Sequence, residues 1–248
     1  MSNYDRTARF YDVDMARNME FDDVALYVAE ARRRRGTTLE LGCGNGRILL
    51  ALAAAGAQAV GIDRSANMLA ALREKATARA LPSPLVCRMD VRALAFRPAF
   101  TTILCPYSLV TYLTSDDELR CMLAGVRAAL TSGGRFMIDA FVPRAVAANP
   151  QFTLDYRRPF DAGELLRWKR ITRVSDSINR IERRYQVCAA TGCITETIDV
   201  VEDIRPMAPH ILRQGLAANG FAIEQEWWDY GAGRADGAQF FTVRARPA

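Results

Sequence analysis

The sequence is poor in the residues that build metal sites. Its 248 residues include a single histidine, His210, and six cysteines, none of them in a C-x-x-C pair. Zinc sites need closely spaced cysteine and histidine ligands, so we predict no metal site. The sequence also lacks an apolar run near the roughly 18 residues that cross a membrane, and Met1–Arg6 lacks the apolar core of a signal peptide. These absences predict a cytoplasmic protein whose cysteines remain free thiols.

A general excess of positive charge is absent too. The formal net charge is +5, and the segment from Tyr156 to Arg184 accounts for all of it, with nine Lys or Arg residues against four acids. The rest of the sequence is balanced, unlike the broad basicity of many nucleic-acid-binding proteins. We therefore expect no membrane partner, and the sequence disfavours a nucleic-acid partner.

A glycine-rich turn follows the first strand that the sequence predicts. The apolar run Thr37–Leu41 leads into glycines at positions 42, 44 and 46, and the residues after them have the pattern of a helix. A strand, a glycine turn and a helix N-terminus present backbone N–H groups to a nucleotide-like ligand. The next predicted strand, Ala57–Ile62, leads to Asp63, whose carboxylate is placed to accept hydrogen bonds from both ribose hydroxyls.

The glycine spacing departs from the dinucleotide fingerprint, because Arg47 stands where that fingerprint has its third glycine. The run E-L-G-C-G-N-G, with a following strand that ends in Asp63, closely resembles motif I of class I S-adenosylmethionine-dependent methyltransferases. The resemblance implies an α/β fold with a Rossmann-like sheet of seven strands, the last antiparallel. It also implies S-adenosyl-L-methionine as cofactor and S-adenosyl-L-homocysteine as product.

The same resemblance assigns residues to the cofactor. Asp63 would bind the ribose, Asp90 the adenine amino group, and Tyr11 the methionine carboxylate, with Tyr4 as the second candidate for that last role. From the residues alone, Asp90 is equally a turn cap, and the segment around Tyr11 is equally a helix packed on the domain. The cofactor-binding set that we expect consists of Tyr11, Glu40, Gly42, Gly44, Asp63, Arg64, Met68, Met89, Asp90, Val91 and Pro106.

Helical periodicity disappears between Asn149 and Asp203. Four strand-like runs separated by short turns predict an antiparallel β meander there. We expect an N-terminal cap segment and first helix (1–36), a cofactor-binding core (37–148), the meander inserted over the active site (149–203), and a C-terminal helix with the last two strands of the core (204–248). The basic residues of the meander either pair with acids across strands or hold an anionic acceptor.

The segment Pro106–Leu113 follows the fourth predicted strand, where ligands bind in open α/β sheets. Methyltransferases of nucleic-acid bases and of protein glutamine carry Asn/Asp-Pro-Pro-Tyr/Phe at this place, whereas this sequence has Cys105-Pro106-Tyr107. It resembles instead the small-molecule branch, which includes the aminosugar N,N-dimethyltransferases. The catalytic candidates are Tyr107 and His210, and the substrate-pocket candidates are Tyr112, Trp168, Arg170 and Tyr185. Each of these is alternatively a core or surface residue.

The sequence thus predicts an enzyme that moves a methyl group from S-adenosylmethionine to a nitrogen or oxygen atom of a small-molecule acceptor. The basic residues of the meander are compatible with an anionic acceptor. Two alternatives stay open at this point. One is an RNA or protein methyltransferase that docks through the basic meander, and the other is a non-catalytic S-adenosylmethionine-binding protein. A nicotinamide-dependent dehydrogenase is disfavoured by Arg47. The acceptor and the oligomeric state are left open, with a homodimer as one option.

Overall fold

The computed structural model describes residues 3–15 and 21–248. Its eleven strands are β1 (Thr37–Leu41), β2 (Ala59–Asp63), β3 (Leu85–Arg88), β4 (Phe100–Cys105), β5 (Leu130–Phe141), β6 (Thr153–Phe160), β7 (Gly163–Arg173), β8 (Asn179–Cys188), β9 (Ile194–Ile204), β10 (Phe221–Trp228) and β11 (Phe240–Pro247). The helices of the described residues are α1 (Asn3–Thr7), α2 (Tyr11–Met15), α3 (Asp23–Arg32), α4 (Leu49–Ala54), α5 (Ala66–Ala78), α6 (Asp116–Ala129) and α7 (Pro209–Ala218).

Seven of the strands form one sheet in the order β10-β11-β5-β4-β1-β2-β3. Strands β1 to β5 pair in parallel, and β11 runs antiparallel to both of its neighbours. The predicted Rossmann-like sheet with an antiparallel last strand is confirmed. Since the strand order reverses between β1 and β4, the loops after these two strands diverge and open a crevice between them.

Capping residues and buried stripes explain the helices around this crevice. The Ser65 side chain accepts a hydrogen bond from the Met68 N–H and starts α5, the N-cap role that a serine before an apolar helical run predicts. Ser115 accepts from the Glu118 N–H in the same way and starts α6. The apolar stripe of α6 is buried in the largest core cluster, together with side chains of β1, β4, β5 and β11. The sheet and its helices therefore form a rigid base for the crevice.

The remaining four strands form a separate antiparallel sheet in the order β6-β7-β8-β9. On one face of this small sheet, arginines pair with acids directly across the strands: Arg170 with Glu182, Arg180 with Asp203, and Arg184 with Asp199. Cross-strand pairing therefore accounts for these three basic residues. The opposite face of the small sheet carries the buried side chains Leu165, Tyr185 and Val200.

The N-terminal segment, residues 3–15, joins the two sheets. On the side of the seven-stranded sheet, the Ser65 hydroxyl donates to Asp5 at 2.6 Å and the Asn45 amide donates to Asp12 at 3.0 Å. On the side of the small sheet, Asp14 accepts from Tyr185 at 2.8 Å and pairs with Arg167 at 2.9 Å. Phe10 is fully buried and stacks on the Tyr185 ring at 5.4 Å.

Two boundaries differ from what the sequence predicts. Acids at its start and arginines at its end predict a helix over 19–35; the structure has α3, Asp23–Arg32, whose Asp22 cap accepts from the Ala25 N–H, and Met19 and Glu20 lie outside the described residues. Residues 131–134 predict a turn before a strand that starts at Arg135, but β5 begins at Leu130, because Leu130 already pairs with Phe100 ahead of a register shift. Within the described ranges, no helix is long and apolar enough to cross a membrane.

Candidate active site

A cleft lies at the carboxyl ends of the parallel strands. Its empty volume, which includes open solvent at its mouth, is about 870 Å³. Its walls come from the turns after β1, β2, β3 and β4 and from the N-terminal segment. The cleft is lined by Tyr4, Tyr11, Gly42, Gly44, Asp63, Arg64, Met68, Met89, Asp90, Val91, Arg92, Pro106, Tyr107, Leu109, Tyr112 and Leu113.

The glycine turn after β1 forms the floor of this cleft. Gly42 has a φ of +65°, and a Cβ there would stand 2.8 Å from a methyl carbon of Leu109. Gly44 has a φ of +53°, and a Cβ there would meet no atom closer than 4.0 Å. Gly42 is therefore required by its backbone conformation and by the neighbouring loop, whereas Gly44 leaves open space above the turn.

Asp63, the last residue of β2, is fixed from two sides. Its carboxylate accepts the Gly44 N–H at 2.9 Å and the Ser65 N–H at 2.8 Å, one on each oxygen. Burial raises the pKa of this carboxyl, and the two backbone hydrogen bonds oppose that shift. Each carboxylate oxygen has a second lone pair, so Asp63 can still accept two hydrogen bonds from a ligand in the cleft.

Arg92 was not singled out in the sequence, yet it lines the cleft beside Asp90. Its guanidinium donates to both Asp90 oxygens, at 2.9 Å and 2.6 Å, and to Glu118 at 2.5 Å. The hydrogen bond from Arg92 keeps the pKa of Asp90 below its usual range. The i,i+2 spacing of Asp90 and Arg92 after β3 was the available signal. Asp90 is thus ionised and turned toward Arg92.

A buried charge cluster lies around the base of the glycine turn. Glu40 on β1 is 2 % exposed, and one of its carboxylate oxygens has no hydrogen-bond partner in the described structure. Burial raises the pKa of Glu40 to about 8, while the nearby Arg47 lowers it. Arg47 itself is paired with the buried Asp23 at 2.5 Å. Position 47, a glycine in dinucleotide folds, therefore carries a partly buried cation here.

Four tyrosines, Tyr4, Tyr11, Tyr107 and Tyr112, also line the cleft. The hydroxyls of Tyr4 and Tyr112 are 2.8 Å apart, and the ring of Tyr4 stands edge-on to Tyr11 at 6.4 Å. The Arg47 guanidinium lies 5.3 Å from the centre of the Tyr107 ring. Burial raises the pKa of all four phenols, that of Tyr107 to about 12. All four are therefore neutral near pH 7.

The structure brings together most, but not all, of the expected site residues. Ten of the eleven expected cofactor residues line the cleft, as do Tyr107 and Tyr112, while Glu40 lies behind the wall. The Tyr185 side chain faces the N-terminal segment and bonds to Asp14. Trp168 and Arg170 project from the other face of the small sheet, where Trp168 donates to Gln186 at 2.9 Å.

His210 also lies away from the cleft. It is the second residue of α7 and is exposed to solvent. Its position after the meander suggested that it could face the cleft, but α7 packs on β10 and on α6 instead. Because side chains alternate along a strand, Trp168 and Arg170 lie on the face of the small sheet opposite Tyr185. The sequence does not indicate which of the two faces packs on the N-terminal segment.

Comparison with known proteins identifies the domain. The family described as "Methyltransferase domain" matches residues 38–134, from β1 to the start of β5. These residues contain the glycine turn, Asp63, Asp90 and Tyr107. Residues 38–134 are a methyltransferase domain. The cofactor is S-adenosylmethionine, and the matched residues include the turns after β1, β2, β3 and β4 that line the cleft.

Individual methyltransferases match longer stretches of the chain than this domain. A cypemycin N-terminal methyltransferase from Streptomyces sp is 30% identical over 144 residues, which are 57% of this chain and 58% of that protein. The match thus spans less than two thirds of the curated relative. An S-adenosylmethionine-dependent methyltransferase from Clostridium acetobutylicum superposes with a TM-score of 0.81 at 16% identity, over 99% of each chain. The sugar N-methyltransferase KedS8 from Streptoalloteichus sp superposes with a TM-score of 0.73 at 23% identity, over 94% of this chain and 91% of that one. These structural likenesses establish the fold.

Proposed function

We propose that this methyltransferase moves the methyl group of S-adenosylmethionine to an amine nitrogen of a small-molecule acceptor. The observation that carries the proposal is the cleft itself. Its lining combines acids and glycines that fit the cofactor with four neutral tyrosines. The name of the KedS8 relative specifies nitrogen as the methylated atom. The name of the cypemycin relative specifies an N-terminus, whose reactive group is an amine, and both names support the choice of nitrogen over oxygen.

The residues around the glycine turn fit the cofactor on structural grounds. Asp63 has lone pairs left for the two ribose hydroxyls after accepting two backbone N–H groups. Asp90 retains acceptor capacity for the adenine amino group beside Arg92. Glu40 lies behind the cleft wall with one unpartnered oxygen, and we expect the ammonium group of the methionine part to hold it ionised when the cofactor is bound, because a buried carboxylate favours a cationic partner.

The carboxylate of the methionine part would then lie toward Arg47 and Tyr11. Arg47 is the cation next to Glu40, and its charge is felt by both Tyr11 and Tyr107. When bound, the cofactor supplies a sulfonium methyl carbon that already has a good leaving group. The protein is then required mainly to orient the nitrogen in line with that carbon and to exclude water.

The tyrosines that line the cleft are suited to binding an amine. Aromatic faces attract a cationic ammonium group, and the hydroxyls of Tyr4 and Tyr112 can hydrogen-bond to polar groups that flank it. Because burial keeps these phenols neutral, none of them is an ionised base near pH 7. We therefore expect the amine to lose its proton to solvent before the nitrogen attacks, so that the rate follows the pKa of the acceptor.

The other two function hypotheses have less support. Docking of RNA through the meander would need unpaired positive charge, yet Arg170, Arg180 and Arg184 are all paired with acids. A binding protein without catalysis needs no acceptor space, and this cleft has Tyr4, Tyr107 and Tyr112 in its lining in addition to the expected cofactor residues. RNA binding that weakens steeply with salt would support an RNA methyltransferase. Cofactor binding without turnover on any amine or hydroxyl compound would favour the second.

The test has a binding arm and a transfer arm. Calorimetry should give a Kd for S-adenosylmethionine that the Asp63→Ala variant weakens by about a hundredfold or more, because two hydrogen bonds to the ribose are lost together. Replacement of Asp161, an exposed acid on the β6–β7 turn, is the matched control and should leave the Kd unchanged. Mass spectrometry of reactions with a panel of amines and alcohols then detects the methylated products. Normal binding by the Asp63→Ala variant would contradict the cofactor assignment, and products methylated only on oxygen would contradict the choice of nitrogen.

A further inference from the structure

A fully buried carboxylate stands behind the Pro106–Tyr107 wall of the cleft. Asp139, near the end of β5, is 0% exposed and accepts four hydrogen bonds. Two come from the hydroxyls of Tyr27 at 2.6 Å and Tyr230 at 2.9 Å. The other two come from the backbone N–H groups of Tyr107 at 2.9 Å and Ser108 at 2.5 Å. This side chain thus ties the loop after β4 to strand β5.

The loop that Asp139 holds has an unfavourable backbone conformation. Tyr107 and Ser108 have φ values of +54° and +59°, a region that residues with a Cβ seldom occupy. Two consecutive residues of this kind persist only where their surroundings impose the conformation. The carboxylate of Asp139 bonds to the N–H groups of the same two residues, and the Ser108 hydroxyl accepts the Phe141 N–H at 2.8 Å. Both contacts therefore join the strained turn to the end of β5.

This turn determines where Tyr107 stands in the cleft. Pro106 and Tyr107 line the wall, and the Tyr107 ring contacts Phe141 at 5.5 Å and Phe240 at 6.0 Å between ring centres. With the turn relaxed to an ordinary backbone conformation, the ring would leave this contact and the wall would move. Position 139 therefore acts on the cleft through the backbone of its neighbouring loop.

We propose that Asp139 is a positioning residue, whose carboxylate holds the N–H groups of Tyr107 and Ser108 so that the Pro106–Tyr107 wall keeps the shape that binds the methyl donor and aligns the acceptor. The proposal rests on the proposed function for what the wall does. The geometry of the wall itself does not depend on it.

The Asp139→Asn variant separates this role from simple packing. An amide has one acceptor oxygen, and its NH2 group must face either the Ser108 N–H or the Tyr107 N–H, which are both donors. The phenols of Tyr27 and Tyr230 can reverse and accept from an amide, but a backbone N–H cannot. One of the two turn residues therefore loses its partner in either orientation of the amide.

The matched control is the double variant Tyr27→Phe/Tyr230→Phe. It removes two of the four hydrogen bonds to Asp139 and leaves both bonds to the turn in place. Neither tyrosine lines the cleft. Both variants should lower the melting temperature, because each disturbs a buried hydrogen-bond network.

The readouts are hydrogen exchange of the Tyr107 and Ser108 amides and calorimetric affinity for sinefungin, a non-reactive cofactor analogue. In Asp139→Asn we expect these amides to exchange at least about tenfold faster, relative to the core amide of Ile103, and sinefungin to bind about tenfold more weakly. In the double variant, we expect both quantities to stay within about twofold of the wild type.

Three outcomes decide the question. Unchanged exchange and affinity in Asp139→Asn, with only a lower melting temperature, would make Asp139 a packing residue and overturn the proposal. If Asp139→Asn does not fold, a loss of sinefungin affinity in the double variant would overturn it as well. Failure of the wild type to bind sinefungin would count against the proposed function, while the amide-exchange comparison would still test the positioning role.

Discussion

The buried carboxylate of Glu40 gives the protein a pH-dependent instability that a single amide substitution should remove. The pKa of Glu40 is about 8 in the folded protein because of burial, whereas an unfolded glutamate has a pKa of about 4.3. Between these two values the folded state binds more protons than the unfolded state, so stability falls as pH rises through that window. The loss is complete above the folded pKa.

The magnitude follows from the size of the window. Each pH unit contributes about 1.4 kcal/mol, and between about pH 5 and pH 8 roughly 2.5 units of the effect are realised. The free energy of unfolding of the wild type should therefore fall by about 3.5 kcal/mol relative to that of Glu40→Gln over this interval. The glutamine keeps the size of the side chain and places an NH2 group where the partnerless oxygen stands.

Urea unfolding of both proteins without cofactor, at several pH values, measures this difference directly. Glu74→Gln, at an exposed position of α5, is the matched control and should run parallel to the wild type. Parallel profiles for Glu40→Gln and the wild type would refute the reasoning, because they would mean that Glu40 does not titrate in this window. The same variant should bind S-adenosylmethionine more weakly, since it lacks the negative charge for the ammonium group. A stabilised variant with undiminished cofactor affinity would remove Glu40 from the cofactor site.

Two further predictions concern the N-terminal segment and the proton of the acceptor. The Asp14→Ala variant should lose about 3 kcal/mol in urea unfolding, because it leaves part of the buried Arg167 charge uncompensated; a loss under about 1 kcal/mol would mean that this segment is held by its other contacts. The His210→Ala variant should keep both the turnover and the pH–rate profile of the wild type, because His210 is exposed on α7 and away from the cleft. A shift of the profile in that variant, or a profile that does not follow the acceptor amine, would contradict the absence of a histidine base.

Local sequence signals were sufficient for the sheet and for the glycine turn and the acids that line the cleft. A glycine turn after a buried strand and an acid at the end of the next strand are close in sequence, and the parallel sheet brings them to one edge. The capping serines, Ser65 and Ser115, are local signals of the same kind. Their positions followed from spacing, because each interaction spans only a few residues or one β–α–β unit.

The tyrosine wall and the Asp139 anchor depend on contacts between distant parts of the chain. The hydroxyls of Tyr4 and Tyr112 meet across 108 positions, and Tyr230 reaches Asp139 across 91. No pattern along the chain signals that Asp139 receives two backbone N–H groups from Tyr107 and Ser108. In the sequence, Asp139 resembles any acid near the end of a strand. Its positioning role depends on its burial and on the four hydrogen-bond donors that surround it in the folded protein.

The alternation of the meander illustrates the same limit. Its strands, turns and basic surplus were apparent in the sequence, but which face turns toward the cleft was not. A shift of one residue exchanges the two faces of a strand, and the choice was made by Phe10 and Asp14 of the N-terminal segment packing on Tyr185. The sequence by itself therefore determined the sheet, the glycine turn and the positions of Asp63 and Asp90 after their strands. Tertiary structure alone decided which tyrosines line the cleft, because they come from residues 3–15 and from the loop after β4, which lie about a hundred positions apart in the sequence.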